Sequence, residues 1–367
     1  MPDASRRHRL STMLEEIVSG RQRDRTAMVV RGLLRAAEIP YHVAVAWRNR
    51  RFDRGQASTH RVDVPVISVG NVTLGGTGKT PLVAWLSKWF RSRGVRVALI
   101  SRGYGTGAGT PNDEALELAQ ELPDVPHVQN ADRVAAAQTV IEQFAAQLIL
   151  LDDAFQHRRL ERDLDVVLVD ALKPFGYEHL LPRGLLREPL SGLVRAQVIA
   201  VSRCDLVAPE VREAVVARLR IHAPEAVIIQ VAHRPQGLVN ATGQRIDVSL
   251  LADTPVAAFC GIGNPEGFRR TLAGCGWQPT GFREFADHHA YSDADAQSLS
   301  LWASSLQAGA VLCTRKDLVK IGRDRLGQAK LWALEIGIEI LAGREDLEKR
   351  LQAIRAQIDQ PENDRQA

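Results

Sequence analysis

Short, mostly apolar runs alternate along this chain with segments whose apolar positions recur at helical spacing. The first begins at residue 66 and the others lie at 95–100, 147–152, 165–170 and 196–201, and each reads as a buried strand. Between them, Leu82, Val83, Leu86, Trp89 and Phe90 mark one side of a helix, Ala115, Leu116, Leu118 and Ala119 a second, and residues 131–144 a third. This alternation predicts βαβ units and a parallel sheet covered by helices. A second series follows, with strands at 255–260, 279–285, 310–314 and 331–338, a helix after Pro265, another over 293–307 and a charged C-terminal helix. Residues 227–250, with a turn at Asn240, Ala241, Thr242 and Gly243, read as a hairpin between the two series.

The pattern therefore predicts two α/β/α domains with mainly parallel sheets, the C-terminal one smaller and Rossmann-like, joined by a β-ribbon linker. Predicted boundaries are an extension with an amphipathic helix over 1–51, a first domain over 52–226, the linker over 227–250, a second domain over 251–357 and a tail over 358–367. In residues 26–51, Met28, Val29, Val30, Leu33, Leu34, Pro40, Tyr41, Val43, Val45 and Trp47 are interspersed with Arg31, Arg35, Arg48, Arg50 and Arg51. Two readings fit: a helix packed on the first domain with snorkelling arginines, or one lying on an anionic membrane surface.

Composition narrows the class only mildly. At 367 residues, 45% hydrophobic and 25% charged, the chain has the make-up of a soluble globular protein with room for two cores. A net charge of +4 argues against a nucleic-acid binder. Cys204, Cys260, Cys275 and Cys313 are scattered, which speaks against a zinc site or a disulfide framework. No signal-peptide pattern and no spanning apolar stretch is evident.

The chemistry concentrates after the first strand. Residues 73–81, Thr73, Leu74, Gly75, Gly76, Thr77, Gly78, Lys79, Thr80 and Pro81, link that strand to the first amphipathic helix. Small residues let backbone amides approach an anion, the helix dipole favours negative charge, Lys79 can reach terminal phosphates and Thr80 can hold Mg²⁺. The domain is thus P-loop-like, although Thr73 stands where the usual pattern has its first glycine. Asp152 and Asp153 end a downstream strand, where carboxylates hold Mg²⁺ directly or through water, and Glu114 is a further candidate ligand. Phosphoryl transfer also needs a base beside the acceptor hydroxyl. Asp113 and His288 are candidates for a carboxylate–imidazole pair across a cleft between the two predicted domains, with His289 adjacent.

Taken in order, the motifs at 68–81, 101–105, 112–115, 151–157, 180–189, 261–265, 287–289 and 314–317 resemble those of the tetraacyldisaccharide 4′-kinase family from about residue 40 to 345. The resemblance implies ATP-dependent phosphorylation of the 4′-hydroxyl of an acylated glucosamine disaccharide 1-phosphate, the precursor of lipid A. It implies a peripheral, monomeric enzyme on the cytoplasmic side of the inner membrane, with the N-terminal helix helping to hold the acylated substrate. It also implies Lys79 and Thr80 as phosphate and Mg²⁺ contacts, Asp113 with His288 as a catalytic dyad, Asp152 and Asp153 on the metal side, and Arg187, Glu188 and His289 on the substrate side. Ala154, Asn112 and Arg315 depart from the family's usual Gly, Gly and Glu. The alternative is a P-loop GTPase or metal-insertion switch, for which Ser202, Arg203, Cys204 and Asp205, and Thr314, Arg315, Lys316 and Asp317, are faint base-reading candidates.

Overall fold

A computed structural model describes residues 13, 14, 16–103, 113–287 and 289–359, so the predictions for His288, Asn112 and residues 104–109 lie outside the described residues. In chain order the elements are α1 (Arg25–Asp53), β1 (Val66–Asn71), α2 (Lys79–Arg91), β2 (Val97–Ser101), α3 (Asp113–Glu121), β3 (His127–Gln129), α4 (Arg133–Phe144), β4 (Leu148–Asp152), β5 (Leu164–Asp170), β6 (Val198–Ser202) and α5 (Pro209–His222). They continue as β7 (Val227–Val239), β8 (Arg245–Ile246), β9 (Val256–Cys260), α6 (Pro265–Gly274), β10 (Phe282–Glu284), α7 (Asp293–Ser305), β11 (Ala310–Thr314), α8 (Arg315–Ile321), β12 (Arg325–Leu326), β13 (Ala329–Ala342) and α9 (Arg344–Asp359).

Two compact units result. Among the described residues, one comprises those up to Gly103, Asp124–His233 and Ile338–Asp359; the other comprises Asp113–Pro123 and Arg234–Gly337. The boundary prediction kept residues 113–123 with the phosphate loop. The structure groups them with the C-terminal series instead, where the acids of α3 pair with cations of α8. Asp113 therefore shares a unit with the C-terminal series, rather than facing it across a domain cleft as the sequence suggested.

In the first unit the strand order is β7-β6-β5-β1-β4-β2-β3, with every pair parallel. The central strands are buried along their whole length, as their apolar runs require. Strand β1 sits between β4 and β5, so the chain order reverses there. The carboxyl end of β1 is a topological switch point, where open α/β sheets leave a ligand crevice. In the second unit β10-β9-β11-β13 form a parallel array, β12 pairs antiparallel with β13, and β8 closes the expected hairpin on β7.

Helix α1 is continuous despite Pro40 in its interior. Proline removes one ladder hydrogen bond, and its exposed position here lets water satisfy the carbonyl so freed. One face of α1 is fastened: Glu38 accepts from the Leu180 amide, Tyr41 donates to the Arg187 carbonyl, and Asn49 donates to Glu188. The opposite face exposes Met28, Val29, Leu33, Ile39, Val43 and Trp47, which at helical spacing fall within an arc of about 140°. The packed reading of this segment thus holds for one face, and the other face is exposed.

Candidate active site

The site grows from the carboxyl end of β1. After Asn71 the chain turns through Gly75 and Gly78, both with positive φ (112° and 87°), and enters α2 at Lys79. Glycine is needed at Gly78 twice over. Its φ is left-handed, and an added Cβ would lie 2.2 Å from Nε2 of His233 on β7. Burial drives the pKa of that imidazole down to about 4, with Arg203 acting in the same direction, so the ring is neutral.

The start of the loop is tied to residues 180–189. The Leu74 amide donates to Leu185 (2.7 Å), the Arg187 amide donates to Val72 (2.7 Å), and Thr73 forms an antiparallel bridge with Leu186. Asn71 donates to the Thr73 carbonyl (2.7 Å) and accepts from Lys79 (3.3 Å).

Lys79 also lies 3.4 Å from Asp153, which Arg187 contacts at 2.8 Å. Burial alone would raise the Asp153 carboxyl, but the two cations outweigh it and hold it below its ordinary value. Asp153 itself has φ 51°, so the left-handed residue of the 152–157 motif is the aspartate, and Ala154 in place of a glycine carries no positive φ. Asp152 is the buried last residue of β4. The motif continues with Phe155 packed against Gly70, and Gln156 bridging the Asn71 carbonyl and Glu188, each at 2.9 Å.

Three predicted substrate residues have distinct fates. Arg187 pairs with Asp153, as above. Glu188 is fully buried, and its carboxylate is shared by Gln156, Asn49 (3.2 Å) and Arg195 (2.7 Å). In this arrangement it anchors α1 and the 180–189 loop rather than facing a ligand. His289 contacts Asp295 (3.2 Å) and packs between Phe285 and Tyr291.

In the second unit Asp113 opens α3 and lies 2.6 Å from Lys320, while Glu114 accepts from Lys316 at 2.7 Å. Two acids in a first helical turn are also favoured by the dipole. Burial pushes the Glu117 carboxyl up to about 7 against the pull of Lys316. Arg315 is buried against Glu335, with Glu121 at 4.0 Å.

Of the two faint base-reading motifs, the one at 314–317 resolves as structural. Asp317 is fully buried, and its two oxygens take the Gly261 amide (2.9 Å), the Tyr291 hydroxyl (2.8 Å) and the Thr314 hydroxyl (2.6 Å). That leaves it committed within its own unit. Arg203 is turned toward the phosphate loop.

For Mg²⁺ the donors fit by chemistry: Thr80, Asp152 and Asp153 offer hard oxygens near the loop. Among the described residues no three His, Cys, Asp or Glu side chains converge as a metal cage. Mg²⁺ commonly takes one or two carboxylates and completes its shell with phosphates and water. Glu114 is paired with Lys316, as Asp153 is with Lys79 and Arg187.

Sequence reasoning gave no site role to Asn71, Gln156, His233 or Lys320, and read Ser202 and Arg203 only as part of a faint base-reading motif. Asn71 and Gln156 lie within the motifs at 68–81 and 151–157, but neither carries a signal of its own.

Residues 30–356 match the family model LpxK, tetraacyldisaccharide-1-P 4′-kinase. Tetraacyldisaccharide 4′-kinase of Anaeromyxobacter sp. (strain Fw109-5) is 37% identical, over 88% of this chain and 91% of its own length. That of Chlorobaculum parvum is 36% identical, over 88% and 94%. A crystal structure of LpxK from Aquifex aeolicus in complex with ATP is similar with a TM-score of 0.73 and 26% identity, covering 89% of this chain and 99% of that one. With its phosphate loop, paired carboxylates and family-wide match, the chain belongs to the tetraacyldisaccharide-1-P 4′-kinase family.

Proposed function

We propose that this kinase moves the terminal phosphoryl group of ATP to the 4′-hydroxyl of an acylated glucosamine disaccharide 1-phosphate. The observation that carries the reading is Lys79 at the N-terminus of α2, poised between Asn71 and Asp153 beside a loop of left-handed glycines. Incoming phosphates offer Lys79 a stronger anionic partner, and residues 73–81 supply amides and a helix dipole toward them. Bound Mg²⁺ would neutralise charge on the phosphates, held by Thr80 with Asp152 or Asp153.

Asp113 with His288 is the proposed acid–imidazole pair that takes the proton of the 4′-hydroxyl. The ion pair of Asp113 with Lys320 means that its carboxylate exchanges a partner to do so. Arg187 and His289 are proposed on the substrate side, with Glu188 fixing the loop that carries Arg187.

The exposed stripe of α1 is proposed to meet the acyl chains and the cytoplasmic face of the inner membrane. Arg25, Arg50 and Arg51 share its arc and suit anionic headgroups. Among the described residues no helix is long and apolar enough to cross a membrane. We read the enzyme as a peripheral monomer, with residues 227–250 as the ribbon joining its halves.

The test is transfer of label from γ-labelled ATP, with Mg²⁺, to a detergent-dispersed acylated glucosamine disaccharide 1-phosphate. Label in the extracted lipid is expected. Release of inorganic phosphate at the same rate with and without lipid, and none in the lipid, would overturn the reading.

A further inference from the structure

The turn after β6 was a weak base-reading motif in the sequence, and in the structure it faces the phosphate loop. Ser202, fully buried at the end of β6, donates its hydroxyl to the Thr77 carbonyl at 2.8 Å. Arg203, in the left-handed region at φ 58°, donates one guanidinium nitrogen to the Gly76 carbonyl at 2.6 Å and another to Asp170 at the end of β5. The next residue of the loop, Gly78, rests on the ring of His233. Three successive loop residues are thus held from one side by β5, β6 and β7.

Peptide geometry turns this bracing into a statement about ligand. A trans peptide is planar, so the carbonyl of one residue and the amide N–H of the next point in opposite directions. Drawing the Gly76 and Thr77 carbonyls toward Arg203 and Ser202 therefore turns the Thr77 and Gly78 amides the other way. Those are amides of the kind a phosphate cradle presents. Freed of the two donors, each peptide could rotate and offer oxygen where the anion needs N–H.

We propose that Arg203 and Ser202 are positioning residues that preset the Thr77 and Gly78 amides of the phosphate loop for the β- and γ-phosphates of the nucleotide. Asp170 serves by aiming the Arg203 guanidinium. The proposal rests on residues 73–81 being the phosphate loop. It gives Ser202 and Arg203 a role in the nucleotide site through the loop they hold.

The experiment compares full-length wild type with Arg203→Ala, Arg203→Lys and Ser202→Ala. Equilibrium titrations with ATP and with AMP are paired with turnover on the acylated disaccharide and with melting curves. Arg203→Ala is expected to weaken ATP about tenfold or more, since it removes a charge-assisted hydrogen bond, while AMP changes by less than about twofold. KM for ATP should rise by a larger factor than kcat falls. Arg203→Lys, with one donor point instead of a fork, should fall between, and Ser202→Ala should lose about threefold. Equal ATP affinity in Ser202→Ala and wild type would overturn the proposal, even if Arg203→Ala proved too unstable to study. So would equal losses for ATP and AMP, the mark of a purely structural role. A wild-type protein that binds no ATP would instead overturn the phosphate-loop reading on which the proposal stands.

Discussion

The phosphate loop and the first turn of α3 both present candidate chemistry, yet they are held by different means. In the loop, the restraints fall on backbone atoms: Leu185, Ser202, Arg203 and Asn71 fix the carbonyls and amides of residues 73–77. At α3 the restraints fall on the side chains themselves, with Asp113 against Lys320 and Glu114 against Lys316. A loop restrained at the Gly76 and Thr77 carbonyls is ready to bind, with the Thr77 and Gly78 amides turned away from those restraints. A carboxylate restrained through its own oxygens must leave a partner before it can accept a proton. Readiness for nucleotide is thus built into one region, and readiness for proton transfer has to be acquired in the other.

The comparison can be broken most forcefully at Gly78. Alanine there meets both an unfavourable φ and the ring of His233, so the loop must distort. Strain of this kind together with displaced phosphates should lower kcat/KM for ATP on the order of a thousandfold, with ATP binding itself lost in titration calorimetry. Retained ATP affinity would show that the loop is not the restrained cradle described.

A sharper contrast comes from Asp113→Ala. Removing the carboxylate of the proposed acid–imidazole pair should cut turnover on the order of a hundredfold or more and leave nucleotide affinity nearly unchanged. Measured side by side, the two variants should separate binding from chemistry. Unchanged turnover in Asp113→Ala would remove α3 from the mechanism altogether.

The smallest effect expected is on stability in acid. His157, beside Arg133, Arg159 and Arg162, and His233, beneath the loop, both lie in the unit that carries the phosphate loop. Burial first, and neighbouring arginines second, lower the pKa of each from an ordinary 6.5 to about 4. The unfolded chain therefore takes up these protons at higher pH than the folded one. Stability is complete above about 6.5 and falls as pH drops from there toward about 4. Urea midpoints across that window should decline, and His157→Gln should flatten the decline. A variant that tracks wild type would place the source of acid sensitivity elsewhere.

Much of the architecture was legible because it rests on short-range patterns. Runs such as 165–170 and 196–201 are too apolar to lie anywhere but inside a parallel sheet, and β5 and β6 are found there within two residues. The helix foreseen at 131–144 begins at Arg133, and Asp132 caps it by accepting from Val134 and Ala135. Helix α5 went unread, and it is the weaker signal: among its residues only Val215 and Leu219 are buried. The strand expected over 279–285 shrinks to Phe282–Glu284.

What the residues determine by themselves is stereochemistry within a few positions: which runs must be buried, where glycines permit a left-handed turn, and that a lysine follows at a helix N-terminus. Those local facts carry the fold class and the phosphate loop. Tertiary structure alone decided that Asp153 lies between Lys79 and Arg187, that Glu188 is sealed beneath α1, that Asp113 sits on Lys320, and that Arg203 reaches back to Gly76. Such pairings join residues far apart in the chain. They follow from strand order and helix placement, to which a charged side chain contributes little pattern of its own, so a lone arginine looks the same in sequence whether it meets solvent or a loop carbonyl.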